Sequence, residues 1–122
     1  MNKNTLLACI ETDRSDYNYK KLENNLGILK NAELEDGSKP NIVKLPMPGR
    51  IDFENIRLPL SYINFLITNG CVLVPTFNDK SDSIALGIIA ELFPRRDVIG
   101  INATDLIWGF GTLHCLSHEI TK

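Results

Sequence analysis

The sequence has no apolar run that approaches the ~18 residues of a membrane-spanning helix, so it offers no candidate for one. It also has no large excess of one charge. A formal charge of −2 gives no electrostatic reason to expect nucleic acid or a membrane surface as a partner. The three cysteines (Cys9, Cys71 and Cys115) are an odd, widely spaced set. Such a set argues against a disulfide framework and favours a reducing, cytoplasmic location.

The composition fits a single domain or a piece of a larger one. The chain has 122 residues, of which 43% are hydrophobic, and this is enough to supply a core. Short apolar stretches alternate with segments of helical spacing, which predicts the order β-α-β followed by β-β-α-β. We therefore expect an α/β fold built from two similar units, although no sequence repeat marks them.

The first half of the chain predicts one β-α-β unit. Strands are predicted over residues 5–12 and 41–45. Between them, apolar residues at three- and four-residue spacing predict a helix over residues 17–31. Ser15 or Asp16 is expected to cap this helix.

The second half begins with a predicted pair of strands. Residues 61–68 and 71–77 are β-rich runs joined by Asn69-Gly70, a dipeptide that favours a type I′ turn with positive φ at both positions. Pro75 indicates an edge strand or the end of a strand.

A helix is predicted to end near Phe93, and a strand is predicted over residues 98–102. Residues 49–60 are expected to be a connecting loop. Asp79 and Asp82 are interpreted as capping or turn residues, with a paired acid as the alternative. The buried face of the helix is expected to hold Ile84, Ile88, Ile89, Leu92 and Phe93.

A glycine-rich segment near the C-terminus presents a candidate nucleophile. The run Gly109-Phe110-Gly111-Thr112-Leu113-His114-Cys115 places a cysteine after two glycines, whose backbone freedom lets a reacting group come close to the main chain. A cysteine that is presented in this way can attack an electrophile as its thiolate. A buried, unreactive Cys115 is the alternative.

Four polar or aromatic residues allow two interpretations each. Trp108 and Phe110 either line the mouth of a substrate site or pack in the core. Tyr62 and Asn64 either face a ligand or make structural hydrogen bonds.

An ordered set of motifs is similar to one protein family. In chain order the motifs are Tyr17-Asn18-Tyr19, Leu45-Pro46-Met47-Pro48, Leu58-Pro59-Leu60-Ser61-Tyr62-Ile63-Asn64-Phe65, Asn69-Gly70, Val74-Pro75-Thr76-Phe77, Leu92-Phe93-Pro94 and Leu113-His114-Cys115. Together they resemble the C-terminal part of the agmatine deiminase and Porphyromonas-type peptidylarginine deiminase family. The resemblance implies a pentein-type α/β propeller, of which this chain is roughly the last two of five ββαβ blades. One partial blade would span residues 1–48, and a second, over 58–122, would end in the nucleophile loop.

The resemblance also implies hydrolysis of a guanidino group. Cys115 would be the nucleophile and would form a covalent thiouronium intermediate as ammonia leaves. With agmatine the products are N-carbamoylputrescine and ammonia, a step of polyamine metabolism, and peptidyl-arginine is the alternative substrate. Neither a metal nor an organic cofactor is implied. The candidates for the loop around the substrate are Gly109, Gly111, Thr112 and Trp108.

The sequence departs from the family at the catalytic base. The family carries its histidine in a Gly-His-(Val/Ile)-Asp motif and its guanidinium-binding carboxylates in earlier blades, and this sequence lacks that motif. His114 is expected to be structural and His118 solvated, with His118 as an alternative base. The chain alone is therefore expected to be inactive, and to self-associate or to require the missing N-terminal blades. A non-catalytic remnant or binding module of the same fold is the alternative function.

Overall fold

The computed structural model describes residues 1–118 and 120, and it confirms an α/β fold. The chain divides into two compact units, Met1–Met47 and Pro48–Lys122. Within the described residues, no helix combines the length and the apolar character that crossing a membrane requires. The strands are β1 (Thr5–Ile10), β2 (Asn41–Pro46), β3 (Asp52–Phe53), β4 (Ile56–Arg57), β5 (Leu66–Ile67), β6 (Cys71–Thr76) and β7 (Asp97–Asn102). The helices are α1 (Tyr19–Asn31), α2 (Asp82–Leu92) and a short 3-10 helix (Leu106–Gly109).

The first unit is the predicted β-α-β arrangement. Strands β1 and β2 pair in parallel, residues 5–10 against 41–46, and α1 connects them. Ala8, Leu26 and Leu45 contribute one buried apolar side chain from each of the three elements. The two strands and the helix therefore meet around a shared apolar layer, as periodicity predicted.

The ends of β1 and α1 differ from the prediction. Strand β1 ends at Ile10 because the Glu11 carboxylate accepts the backbone N–H groups of Thr12 and Asp13, at 2.8 and 2.9 Å. The predicted cap of α1 is wrong, since the N-cap residue is Asn18 and it makes no side-chain capping bond. Asp16 instead accepts the backbone N–H of Asn18 at 2.7 Å, which closes the turn before the helix.

The second unit contains a three-stranded sheet in the order β5-β6-β7. Strand β5 is antiparallel to β6, and β6 is parallel to β7, to which α2 connects it. Pro75 lies in the central strand, next to its last residue, so the edge-strand alternative is wrong and the strand-end alternative is confirmed. The strand tolerates proline there because the pairing of β5 stops opposite Leu73 and does not reach Pro75.

The turn between β5 and β6 is not the predicted type I′ turn. Neither Asn69 nor Gly70 has a positive φ. The hydroxyl of Thr68 accepts the backbone N–H of Cys71 at 3.1 Å, a bond that a two-residue hairpin gives to a backbone carbonyl. A local side-chain hydrogen bond has therefore replaced the expected backbone geometry.

Residues 49–60, predicted as a loop, contain the β3–β4 hairpin. Glu54 and Asn55 form its two-residue tip, with φ of 47° and 65°. The pair of positive φ values that was expected at Asn69-Gly70 is thus found at the tip of this hairpin, where neither residue is a glycine. Asparagine adopts this conformation more readily than most residues, because its side chain can hydrogen-bond to the nearby backbone.

The buried face of α2 is narrower than predicted. Ala85 and Ile89 are fully buried, and Phe93 is buried directly after the helix. Ile84 is 56% exposed, contrary to the prediction. It precedes Ala85 by one residue and therefore lies about 100° away around the helix axis.

Candidate active site

Cys115 is carried by a turn that follows the 3-10 helix. Phe110, with a φ of 61°, ends that helix and redirects the chain toward Cys115. The side chain of Cys115 is exposed, whereas Cys9 and Cys71 are half-buried, and none of these three residues is in a disulfide. A buried, unreactive Cys115 does not fit this structure, and a thiol that a dissolved molecule can reach does.

Asn64 holds Cys115 through both ends of its side-chain amide. Its Oδ1 accepts the backbone N–H of Cys115 at 3.0 Å, and its Nδ2 donates to Cys115 Sγ at 3.0 Å. In addition, the backbone N–H of His114 donates to the backbone carbonyl of Asn64 at 3.3 Å. A backbone N–H can only donate, so the atom that faces it must be the amide oxygen, and the NH₂ group must then face the sulfur.

Gly111 permits the close packing of this turn. A Cβ atom at position 111 would lie 3.0 Å from the Cβ of Cys115, whereas a Cβ atom at Gly109 would meet nothing within 4 Å. Thr112 is fully buried, and its hydroxyl has no hydrogen-bond partner within the described part of the chain. A contact of these three residues with substrate stays a prediction.

Trp108 packs against the β3–β4 hairpin rather than in the core. Its ring meets that of Phe53 edge to face, with centroids 4.3 Å apart and an interplanar angle of 77°. Trp108 and Phe110 are each about half exposed, so the core interpretation fits neither residue. An accessible aromatic face beside the cysteine turn can contact an apolar part of a ligand.

The predicted strand over residues 61–68 is formed only at β5. The backbone N–H of Asn64 donates to the carbonyl of Ser61 at 3.4 Å, and this turn keeps the chain outside the sheet until Leu66. The Asn64 side chain is then free to reach Cys115. The backbone carbonyl of Asn64, which a neighbouring strand could have bonded, instead accepts the N–H of His114 in the cysteine turn.

Tyr62 anchors the turn that carries Asn64. Its side chain is completely buried, and its ring packs on Phe77 at 5.7 Å between centroids. Its hydroxyl donates to Asp82 Oδ1 at 2.7 Å. Burial raises the pKa of Tyr62 well above its ordinary value, and the hydrogen bond to Asp82 and the charge of that carboxylate act in the same direction. Tyr62 is therefore a neutral, structural donor.

Asp79 and Asp82 organise the start of α2. Asp82 accepts the backbone N–H groups of Phe77 and Asp79, at 3.1 and 3.0 Å. Asp79 accepts those of Ser81 and Gly49, at 2.8 and 3.0 Å. Burial acts to raise the pKa of Asp79, but these hydrogen bonds outweigh it and hold the pKa below its ordinary value. Both carboxylates are committed to local structure, which favours the predicted turn role over a paired acid.

The two histidines lie beside a groove of ≈ 500 Å³. His114 and His118 are both exposed, and they belong to the groove lining while Cys115 does not. Among residues 1–118 and 120, no three His, Cys, Asp or Glu side chains are grouped so that they could hold a metal ion. The absence of a cofactor stays a prediction. The groove is lined by Ile63, Phe65, Leu66, Ile67, His114, Ser117 and His118.

The sequence left the role of Asn64 open between a ligand contact and a structural bond. Asn64 lies 51 residues before Cys115, and neither periodicity nor motif spacing connects positions so far apart. Its position as a polar residue within an apolar, β-rich run was the available signal.

These features define an α/β domain that presents an exposed cysteine on a hydrogen-bonded turn. Residues 1–120 match the model of the Porphyromonas-type peptidyl-arginine deiminase family, and the chain belongs to that family.

Known relatives agree with this assignment. Agmatine deiminase of Pseudomonas putida is 31% identical over 125 residues, which cover 88% of this chain and 34% of that protein. A Porphyromonas gingivalis structure, provisionally named an arginine deiminase, is 40% identical with a TM-score of 0.88, and the match covers 92% of this chain and 33% of the other. A cysteine-to-serine variant of C. jejuni agmatine deiminase with substrate bound is 28% identical with a TM-score of 0.78, over 93% of this chain and 32% of the other. The chain thus spans about a third of the length of these relatives.

Proposed function

We propose that this chain is the C-terminal third of a guanidino-group hydrolase of the agmatine deiminase type, with Cys115 as its nucleophile. The observation that carries the proposal is the exposed thiol of Cys115, held by Asn64 at the end of the glycine-rich segment. The names of the relatives support the substrate class. The C. jejuni structure that contains substrate has serine in place of a cysteine. This replacement is expected if the cysteine sulfur would otherwise react with the substrate.

In the proposed reaction the thiolate of Cys115 attacks the central carbon of the guanidinium and forms a carbon–sulfur bond. One nitrogen of the tetrahedral adduct takes up a proton and leaves as ammonia, so that a thiouronium remains on the sulfur. Water then adds to the same carbon and gives up one proton. The carbon–sulfur bond breaks to return the thiolate, and the remaining hydroxyl proton leaves as the ureido carbonyl forms. The net change converts a guanidino group and water into a ureido group and ammonia.

Proton transfer in this scheme requires a group outside the cysteine turn. The leaving nitrogen must be protonated and the attacking water deprotonated, both by a residue within hydrogen-bond reach. We assign that role to the two thirds of the enzyme that the relatives have and this chain does not span. His118 stays the alternative base, because it is exposed on the same C-terminal segment.

We further propose that the two units belong to a pentein-type propeller as roughly its last two blades. Unit Met1–Met47 would be a partial blade, and Pro48–Lys122 would contain the complete one. Apolar side chains on both outer strands of the three-stranded sheet support this, since Ile67 of β5 is 45% and Ile99 of β7 43% exposed. Such surface normally packs against a partner, so the isolated chain is expected to self-associate in sedimentation experiments, and a monomer at high concentration would contradict this.

Agmatine is the proposed substrate, and peptidyl-arginine is the second candidate because the family model carries that name. The reaction class is the same for both, and the two differ in what is attached to the guanidino group. An enzyme in polyamine metabolism would act on the small amine. The predicted cytoplasmic location agrees with this choice, and three cysteines outside any disulfide support that location.

The test is formation of ureido product by the chain alone, with agmatine and with an arginine-containing peptide, beside its Cys115→Ser variant. We expect no product, because the chain lacks the base motif and the substrate carboxylates. Product that disappears in the variant would mean that His118 or self-assembly supplies the missing groups. Product that persists in the variant would overturn the role of Cys115. Inactivity of the chain even when the rest of the enzyme is supplied would instead favour a non-catalytic remnant.

A further inference from the structure

We propose that Asn64 is the positioning residue of the nucleophile: it fixes the cysteine turn through Oδ1 and stabilises the thiolate of Cys115 through Nδ2. The catalytic meaning of this inference rests on the proposed function. The hydrogen-bond geometry does not, because it concerns two residues of this chain.

The contact has two halves with different consequences. The bond from the Cys115 N–H to Asn64 Oδ1 (3.0 Å) holds the backbone and would exist for any residue at position 115. The bond from Asn64 Nδ2 to Sγ (3.0 Å) depends on the sulfur. An N–H that donates to sulfur favours the charged thiolate over the thiol, because a hydrogen bond is stronger when its acceptor is ionised.

Asn64 is itself held in place, so its amide is aimed before a substrate arrives. The Asn64 carbonyl accepts the N–H of His114, and its N–H bonds to the Ser61 carbonyl. Two residues before Asn64, the buried Tyr62 hydroxyl is bonded to Asp82 at the start of α2. A donor fixed in this way loses little conformational freedom when the thiolate forms.

The substitution Asn64→Asp separates the two halves. A carboxylate oxygen can still accept the Cys115 N–H, so the anchor of the turn is kept. The other oxygen then faces Sγ with no hydrogen to donate, and its negative charge opposes a thiolate. A residue that only holds the backbone would tolerate this change, whereas a residue that stabilises the thiolate would not.

The readout is alkylation of Cys115 by iodoacetamide in the full chain, followed by peptide mass spectrometry across a pH series. Cys9 and Cys71 are internal references in each sample, since both are half-buried cysteines outside any disulfide. We expect alkylation of Cys115 at neutral pH to fall about tenfold in Asn64→Asp, with its pH midpoint moved upward, because a hydrogen bond to a charged group is worth a factor of this size. The control Asn69→Asp makes the same chemical change at an exposed turn and is expected to match the unmodified chain.

The titratable residues nearest to Cys115 along the chain are His114 and His118, both exposed. They are identical in every variant and so contribute equally to each profile. Unchanged alkylation of Cys115 in Asn64→Asp, at all pH values, would overturn the proposal.

A measurement on the unmodified chain covers the case in which Asn64→Asp does not fold. The side-chain NH₂ resonances of Asn64 should move as Cys115 ionises, and should move again when the thiol is alkylated. Resonances that stay in place through both changes would overturn the proposal. If Asn64 controls alkylation and no deiminase activity is ever found, the positioning role stands and the proposed function fails. If deiminase activity is found and the alkylation of Cys115 does not depend on Asn64, the proposed function stands and the positioning role fails.

Discussion

The buried hydroxyl of Tyr62 donates a 2.7 Å hydrogen bond to Oδ1 of Asp82, and this bond ties the turn that carries Asn64 to the first residue of α2. Asp82 also accepts two backbone N–H groups, so one carboxylate joins the end of β6, the start of the helix and the Tyr62 turn. The position of Asn64, and with it that of Cys115, thus depends on packing inside the second unit. Each of these contacts can be tested separately.

Tyr62→Phe should destabilise the second unit by about 1–2 kcal/mol, because the hydroxyl is buried and its partner is a carboxylate. The raised pKa of Tyr62 adds a pH dependence. Above about pH 10 the unfolded chain loses the Tyr62 proton while the folded chain keeps it, so stability falls as pH rises. Urea unfolding followed by the fluorescence of Trp108, the single tryptophan, should show this alkaline loss in the unmodified chain and less of it in Tyr62→Phe. Tyr17→Phe is the control, since Tyr17 is exposed and lies in the first unit, and an equal effect of both variants would contradict the account.

Gly49→Ala should destabilise the second unit, by about 1 kcal/mol, because it disturbs a hydrogen bond to a carboxylate. The added Cβ would lie 2.6 Å from Asp79 Oδ2, the atom that accepts the Gly49 N–H at 3.0 Å. Gly87→Ala is a matched change in the same unit, at an exposed position of α2 with nothing within 4 Å of the added Cβ. It should stabilise the unit by about 0.5–1 kcal/mol, as alanine does in place of glycine within a helix. Denaturant midpoints that move in the same direction would show that the Asp79 contact does not matter.

Gly111→Ala should displace the cysteine turn. The new Cβ would lie 3.0 Å from the Cβ of Cys115, so the turn must give way by a few tenths of an ångström, and we expect the Asn64 hydrogen bonds to lengthen. We expect the rate of Cys115 alkylation to change several-fold, by the loss of a hydrogen bond to the sulfur. Gly109→Ala removes backbone freedom in the same segment without a steric contact and should leave this rate unchanged. Equal rates in the two variants would mean that the Gly111 contact does not set the position of Cys115.

The order of helices and strands could be predicted because it depends on local periodicity. Leu26 and Ile89 are buried on the helices where apolar spacing placed them. Predictions failed where a nearby side chain competed with the backbone. The hydroxyl of Thr68 accepts the Cys71 N–H that a type I′ turn would bond to a backbone carbonyl. The Glu11 carboxylate accepts a backbone N–H beyond β1, and the strand ends earlier than predicted. Such competition depends on geometry that composition does not reveal.

The candidate site was predictable in part for a different reason. Cys115 could be selected from its glycine-rich segment and the motifs around it. The bonds from Asn64 to Cys115 join residues that lie 51 positions apart, and the turn that makes them possible replaces a predicted strand. Long-range contacts of this kind arise from the packing of the whole unit, and no short pattern encodes them.

The most direct test of the central claim is ureido product formation by a chimera in which this chain replaces the matching third of P. putida agmatine deiminase. That relative supplies the remaining two thirds, and the match covers 88% of this chain. We predict that the chimera converts agmatine. The Cys115→Ser substitution should lower the rate of conversion at least a thousandfold, as loss of a covalent nucleophile does. The Cys71→Ser substitution should leave the conversion in place. A Cys115→Ser chimera that is as active as the Cys71→Ser chimera would contradict the assignment of Cys115 as the nucleophile.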